Sequence, residues 1–139
     1  MLTPERTVAT TCPYCGVGCQ IDLHLRREMV FRVVGRFDSP VNRGQLCVKG
    51  RFGYDFVHAP DRLTRPLARQ GRSQPLKPVG WEAALTSVAE RLKAAVDESG
   101  PDSVGFLASA KCTNEENYLV QKLARAVIGT NNVDHCARL

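Results

Sequence analysis

Four cysteines constrain this chain more than any other feature. Cys12, Cys15 and Cys19 lie within Cys12-Pro-Tyr-Cys-Gly-Val-Gly-Cys19, and Cys47 follows in Gly44-Gln-Leu-Cys-Val-Lys-Gly50. The gaps between them are two, three and twenty-seven residues. Three thiols in one short loop can take three corners of a compact inorganic cluster, and a distant fourth can close it. The pattern points to a [4Fe–4S] centre held by Cys12, Cys15, Cys19 and Cys47, and hence to electron transfer. The fold must therefore return residue 47 to the loop at 12–19.

Two other readings of the thiols stay open. Structural zinc usually takes two separated short pairs, often with histidine, and three crowded ligands plus a single distant one fit that arrangement awkwardly. A redox Cys-x-x-Cys pair calls for a strand-to-helix setting. A disulfide framework is disfavoured, because six cysteines in 139 residues is a modest number and no secretory signal precedes them. Gly16 and Gly18 between the ligands allow a tight turn around an anion, Pro13 fixes φ after the first ligand, and Gly44 and Gly50 bracket the fourth.

Composition narrows the partners. The formal charge is +5 with the thiols neutral, and four thiolates around a core of about +2 would leave roughly +3. Spread among acidic residues, that is too weak a field to indicate nucleic acid. No apolar run approaches a membrane span, and a cytoplasmic setting is the expectation. With 43% apolar residues the chain can bury an ordinary core.

Periodicity divides the chain into a cluster domain over 1–58, a connector over 59–80 and the beginning of an α/β domain over 81–139. In the first, Thr7–Thr11 reads as a strand leading into the cysteine loop. Gln20–Leu25 alternates, with Ile21, Leu23 and Leu25 on one face and His24 exposed on the other; Arg26–Glu28 turns the chain into a partner strand, Met29–Val34. Arg51–Val57 is expected to form a short helix. Pro60, Pro66, Pro75 and Pro78 mark the connector as extended. Then Trp81, Ala84, Leu85, Val88, Leu92, Ala95 and Val96 recur at helical spacing up to Gly100-Pro101. Ser103–Ala108 reads as a buried strand, and Thr113-Asn-Glu-Glu116 as a capping box opening a helix that Gly129 stops.

The fold class expected is thus α+β leading into α/β: a small β-rich [4Fe–4S] domain, then the start of an open α/β domain. One strand between two amphipathic helices cannot cover both helix faces, so the reading is of an incomplete N-terminal piece of a longer polypeptide.

The cysteine quartet, Asn42-Arg-Gly-Gln-Leu-Cys-Val-Lys-Gly50, and the stretches Ser109-Ala-Lys-Cys-Thr-Asn-Glu-Glu-Asn117 and Ile128–Leu139 resemble the molybdenum/tungsten bis-molybdopterin guanine dinucleotide oxidoreductases. Within that family the last stretch is most similar to formate dehydrogenase catalytic (alpha) subunits, and differs from nitrate reductases in carrying Cys136. The resemblance implies that the four cysteines hold the [4Fe–4S] cluster. It implies further that Lys49 lies between the cluster and a pterin and assists electron transfer. The cofactors it implies are the cluster and Mo or W bis-molybdopterin guanine dinucleotide. Its implied substrate is formate or a similar small anion, oxidised to carbon dioxide, with electrons passed to another subunit or a carrier. The family's metal-ligating Cys or selenocysteine would fall just past Leu139, so the chain alone is expected to be inactive and to contain no catalytic residue.

Among the remaining residues, Ser109 and Lys111 stand at the carboxyl end of a strand and before a helix N-terminus. That position suits a contact to cofactor phosphate or pterin. Cys136 reads as a small buried residue, and His58 and His135 have no assigned role. A related nitrate reductase-type enzyme, or a non-catalytic iron–sulfur or zinc module, are the competing functional readings.

Overall fold

The computed structural model describes residues 3–136. Ala137, Arg138 and Leu139, the end of the family-like Cys-Ala-Arg-Leu segment, lie outside the described residues. The chain forms two compact units. One comprises 1–62, 107–121 and 134–139, and the other 63–106 and 122–133.

The first unit is built on a three-stranded antiparallel sheet in the order β1 (Arg6–Thr11), β2 (Gln20–Arg26) and β3 (Met29–Gly35). The expected alternation sets its register: Ile21 and Leu25 are buried and Leu23 is half-buried on one face of β2. His24, expected to be exposed, is half-buried instead, because its ring tilts against Phe31 at 6.3 Å. Arg27 and Glu28 form the β2–β3 turn, both at positive φ (49° and 60°). That is the mirror-type hairpin turn whose twist suits antiparallel strands. Ile21, Val33 and Cys12 form the buried cluster, with Tyr14, Leu46 and Tyr54 packed against it.

The helix expected over residues 51–57 is two shorter pieces: α1 (Val48–Phe52) and a 3-10 turn, Asp55–His58. Gly53 breaks them, its amide closing on Lys49 O at 2.8 Å while its carbonyl accepts from the Tyr14 hydroxyl. Tyr54 donates to Phe31 O at 2.7 Å, fastening this segment to β3.

The second unit contains a two-residue antiparallel pair, β4 (Leu67–Ala68) with β5 (Lys77–Pro78), so the connector is not wholly extended. It also holds α2 (Trp81–Ser99), which Gly100 (φ +79°) ends. The apolar stripe of α2 is only partly covered: Trp81, Leu85 and Val88 are exposed, while Leu92 and Val96 line an apolar cavity of about 300 Å³ with Leu123 and Val127. Buried Thr130 donates to Asp102 Oδ1 at 2.8 Å, and Asn132 to Asp102 O at 2.9 Å.

Strand β6 (Phe106–Ser109) pairs with β7 (Val133–Cys136). The Phe106 amide donates to Asn132 O, and Ser109 meets Cys136 three residues later, so the two strands run in the same direction. Between them lies α3 (Asn114–Lys122), prolonged by a π-helical stretch, Leu123–Ile128, that ends at Gly129 (φ +87°). The Ala124 carbonyl receives both the Gly129 and Thr130 amides at this stop.

Candidate metal centre

Pairing of Thr11 with Gln20 makes residues 12–19 the loop of the β1–β2 hairpin. The Cys12 amide donates to the Cys19 carbonyl at 2.8 Å, closing that loop across its base. Within it Gly18 has a positive φ (+75°), while at Gly16 a Cβ would sit 2.5 Å from Asn114 Oδ1 and push that side chain aside.

Cys47 is the residue before α1, and the first turn of that helix brings it to the hairpin loop. Gly50 is packed so closely on Cys12 that a Cβ would lie 3.3 Å from Cys12 Sγ. Asn42, 7% exposed, joins the two cysteine-bearing segments. Its Oδ1 accepts from the Gln20 amide at 2.9 Å, and its Nδ2 donates to Gln20 O at 3.1 Å and Gln45 O at 3.0 Å.

The charges of the other three cysteines act on Cys19. Its thiol is pushed above its ordinary value by burial and then by the charges of Cys12, Cys15 and Cys47. Cys47 is displaced the other way: the Gly50 amide, the Lys49 amide and the Lys49 ammonium outweigh its burial and hold the thiol low. Repulsion among four thiolates is relieved by a cationic core, which is what an iron–sulfur cluster provides when bound.

Among the described residues no three His, Cys, Asp or Glu are disposed to hold a single metal ion. Four cysteine thiols are the donor set a [4Fe–4S] cluster takes, one at each iron, and the chemistry of these residues fits that group.

Ser109 at the end of β6, Lys111 in the loop after it and Cys136 at the end of β7 form a second group. Ser109 Oγ accepts from the Lys111 amide at 3.0 Å and lies 3.1 Å from Cys136 Sγ. Cys136, expected to be buried, is exposed; as part of the short strand β7 it turns its thiol toward Ser109 rather than into a core. The Ser109 contact, the Ala110 amide and the Lys111 charge lower its thiol's proton affinity. Thr113 and Glu116 form the expected capping box, with Thr113 N–H to Glu116 Oε2 at 2.7 Å and Glu116 N–H to Thr113 Oγ1 at 3.3 Å. The next residue after Thr113, Asn114, reaches the metal loop: its Nδ2 donates to Gly16 O at 2.7 Å.

Asn42 and Asn114 were not singled out by the sequence. Asn42 has the look of an ordinary turn residue before Arg43-Gly44, and Asn114 of a helix-start residue; their long-range partners leave no local signal. His58 does have a structural partner, since its Nε2 accepts from the Val30 amide at 2.9 Å. His135 is exposed, its amide donating to Asp134 Oδ1.

The described residues thus comprise a hairpin loop of three cysteines, a fourth cysteine at a helix start, and a helix–strand segment further along the chain. The chain belongs to the molybdopterin oxidoreductases: residues 5–59 match the molybdopterin oxidoreductase Fe4S4 domain and residues 62–139 the molybdopterin oxidoreductase family. The cofactors of this family are a [4Fe–4S] cluster and a molybdenum or tungsten molybdopterin.

It is 48% identical over 129 residues to "Probable oxidoreductase YjgC" of Bacillus subtilis, covering 93% of this chain and 13% of that protein. It is 45% identical over 134 residues to "F420-dependent formate dehydrogenase subunit alpha" of Methanocaldococcus jannaschii, covering 96% of this chain and 19% of the relative. The chain thus spans less than a fifth of the length of these curated relatives. Among the described residues no helix is long and apolar enough to cross a membrane.

Proposed function

We propose that the chain supplies the electron-transfer portion of a formate dehydrogenase, with Cys12, Cys15, Cys19 and Cys47 as the ligands of its [4Fe–4S] cluster. The observation that supports this reading is that the charges of Cys12, Cys15 and Cys47 all act on Cys19, with Gly50, three residues past Cys47, lying close against Cys12. Formate as substrate is taken from the similarity to the formate dehydrogenase alpha subunit. The reaction would be oxidation of formate to carbon dioxide with loss of one proton and two electrons, the molybdopterin metal, when bound, serving as the two-electron acceptor.

The chain's own residues hold and tune the centre. The Lys49 charge acts on the Cys47 thiol; a cation at an anionic centre stabilises its reduced form and assists electron transfer toward the pterin. Ser109 and Lys111 offer a hydroxyl and a cation to the cofactor's phosphate or pterin. Residues 1–58 act as the cluster domain and 59–80 as connector, while 81–139 begin an open α/β domain. The electrons leave to a partner subunit or carrier in the cytoplasm.

Anaerobic reconstitution tests the central assignment. About four iron and four sulfide per chain, with a cluster EPR signal on reduction, are expected. One zinc per chain in their place would overturn it.

A further inference from the structure

The hairpin loop that carries Cys15 and Cys19 is closed at its base by its own backbone, but its middle is held from far along the chain. Gly16 O, in the peptide that joins Gly16 to Val17, accepts from Asn114 Nδ2 at 2.7 Å across 98 residues of sequence. The contact is close on both sides: a Cβ on Gly16 would stand 2.5 Å from Asn114 Oδ1 and 3.3 Å from its Cγ. A methyl at position 16 would have to displace the Asn114 amide from this approach.

Asn114 is itself held. It is the first residue of α3, whose opening turn is fixed by the reciprocal Thr113–Glu116 bonds. Three residues on, Asn117 Nδ2 donates to Ser109 O at 3.1 Å. Residues three apart share a helix face. One turn therefore carries two side-chain amides, one on the cysteine loop and the other on the Ser109–Lys111 loop.

We propose that Asn114 is a positioning residue of the metal centre. By fixing the Gly16 peptide between two of the proposed ligands, it sets how tightly the loop retains the cluster and the potential at which the cluster is reduced. This inference rests on the cluster reading given above. A surface hydrogen bond of no consequence would need neither a bare Gly16 nor a pinned helix start.

The test is a double-mutant cycle on the full chain, reconstituted anaerobically. Asn114→Ala and Gly16→Ala should each speed iron loss to a ferrous chelator about fivefold, the scale of one lost hydrogen bond. The double variant should be no worse than the poorer single one, since both changes remove the same contact. Multiplying effects, or an Asn114→Ala variant that keeps its iron as wild type does, would overturn the proposal. Asn114→Asp, similar in shape but anionic, should lower the midpoint potential of the reduced-cluster EPR signal; an unmoved potential counts against it. Should wild type bind no iron, the cluster reading fails instead. The same cycle followed by thermal unfolding then decides whether Asn114 and Gly16 are coupled at all.

Discussion

Asn42 grips the peptide of Gln20 from both sides, accepting its N–H at 2.9 Å and donating to its carbonyl at 3.1 Å. A side chain thus does for Gln20 what a neighbouring strand would do, immediately after Cys19. The second donor hydrogen of Nδ2 reaches Gln45 O, two residues before Cys47. Asn42→Ala would remove this partner from three part-buried backbone groups, of which Gln20 O keeps the Arg36 amide, and a loss of about 1–3 kcal/mol is expected in denaturant unfolding. Asn42→Asp keeps the acceptor and removes the donor, so it should not restore wild-type stability.

Gly35 and Gly44 meet backbone to backbone. A Cβ at position 35 would stand 2.5 Å from Gly44 O and 2.7 Å from Gly44 C, with Asn42 Nδ2 at 3.0 Å. Because the obstacle is main chain, it cannot rotate away. Gly35→Ala should cost about 1–3 kcal/mol and, by shifting the 42–44 turn, reduce the iron retained after reconstitution.

The metal-free thiols should differ in reactivity. A thiol whose proton affinity is lowered remains thiolate to lower pH, and the thiolate is the nucleophile. Cys47, lowered and exposed, should be alkylated by iodoacetamide at lower pH than Cys19, which burial and its neighbours push up. Lys49→Ala removes one of the causes at Cys47, so its labelling profile should move to higher pH. Mass-spectrometric peptide mapping across a pH series checks both, and an unmoved profile in the variant would exclude the Lys49 contribution.

His58 fastens the 3-10 turn to β3 through the Val30 amide. His58→Ala should expose that amide, raising its hydrogen-exchange rate and costing about 1–3 kcal/mol. Val30 sits opposite Leu25, next to the irregularity in the β2–β3 register, so protection there depends on the imidazole more than on the ladder.

Legibility in the sequence followed the range of the interaction. The β2 and β3 strands, α2 and the capping box at Thr113 announce themselves through neighbours two to four residues apart, and each stands within a residue or three of its expected bounds. The Arg27-Glu28 turn carries no Asn-Gly or Asp-Gly, so its positive φ values are imposed by the strands it joins. The break at Gly53 follows from Tyr14, thirty-nine residues away. At the metal centre the cysteines were readable because their spacing is chemical. The two asparagines were not, because an amide's choice of a distant carbonyl leaves no period or motif.

Trp81, the chain's one tryptophan, stands 67% exposed at the start of α2, well along the sequence from the cysteine loops. Its emission therefore reports the solvent around the start of that helix. The phenol rings of Tyr14 and Tyr54 pack against Cys12 and its buried neighbours, so near-ultraviolet dichroism of those rings is the optical channel that should follow assembly and loss of the centre.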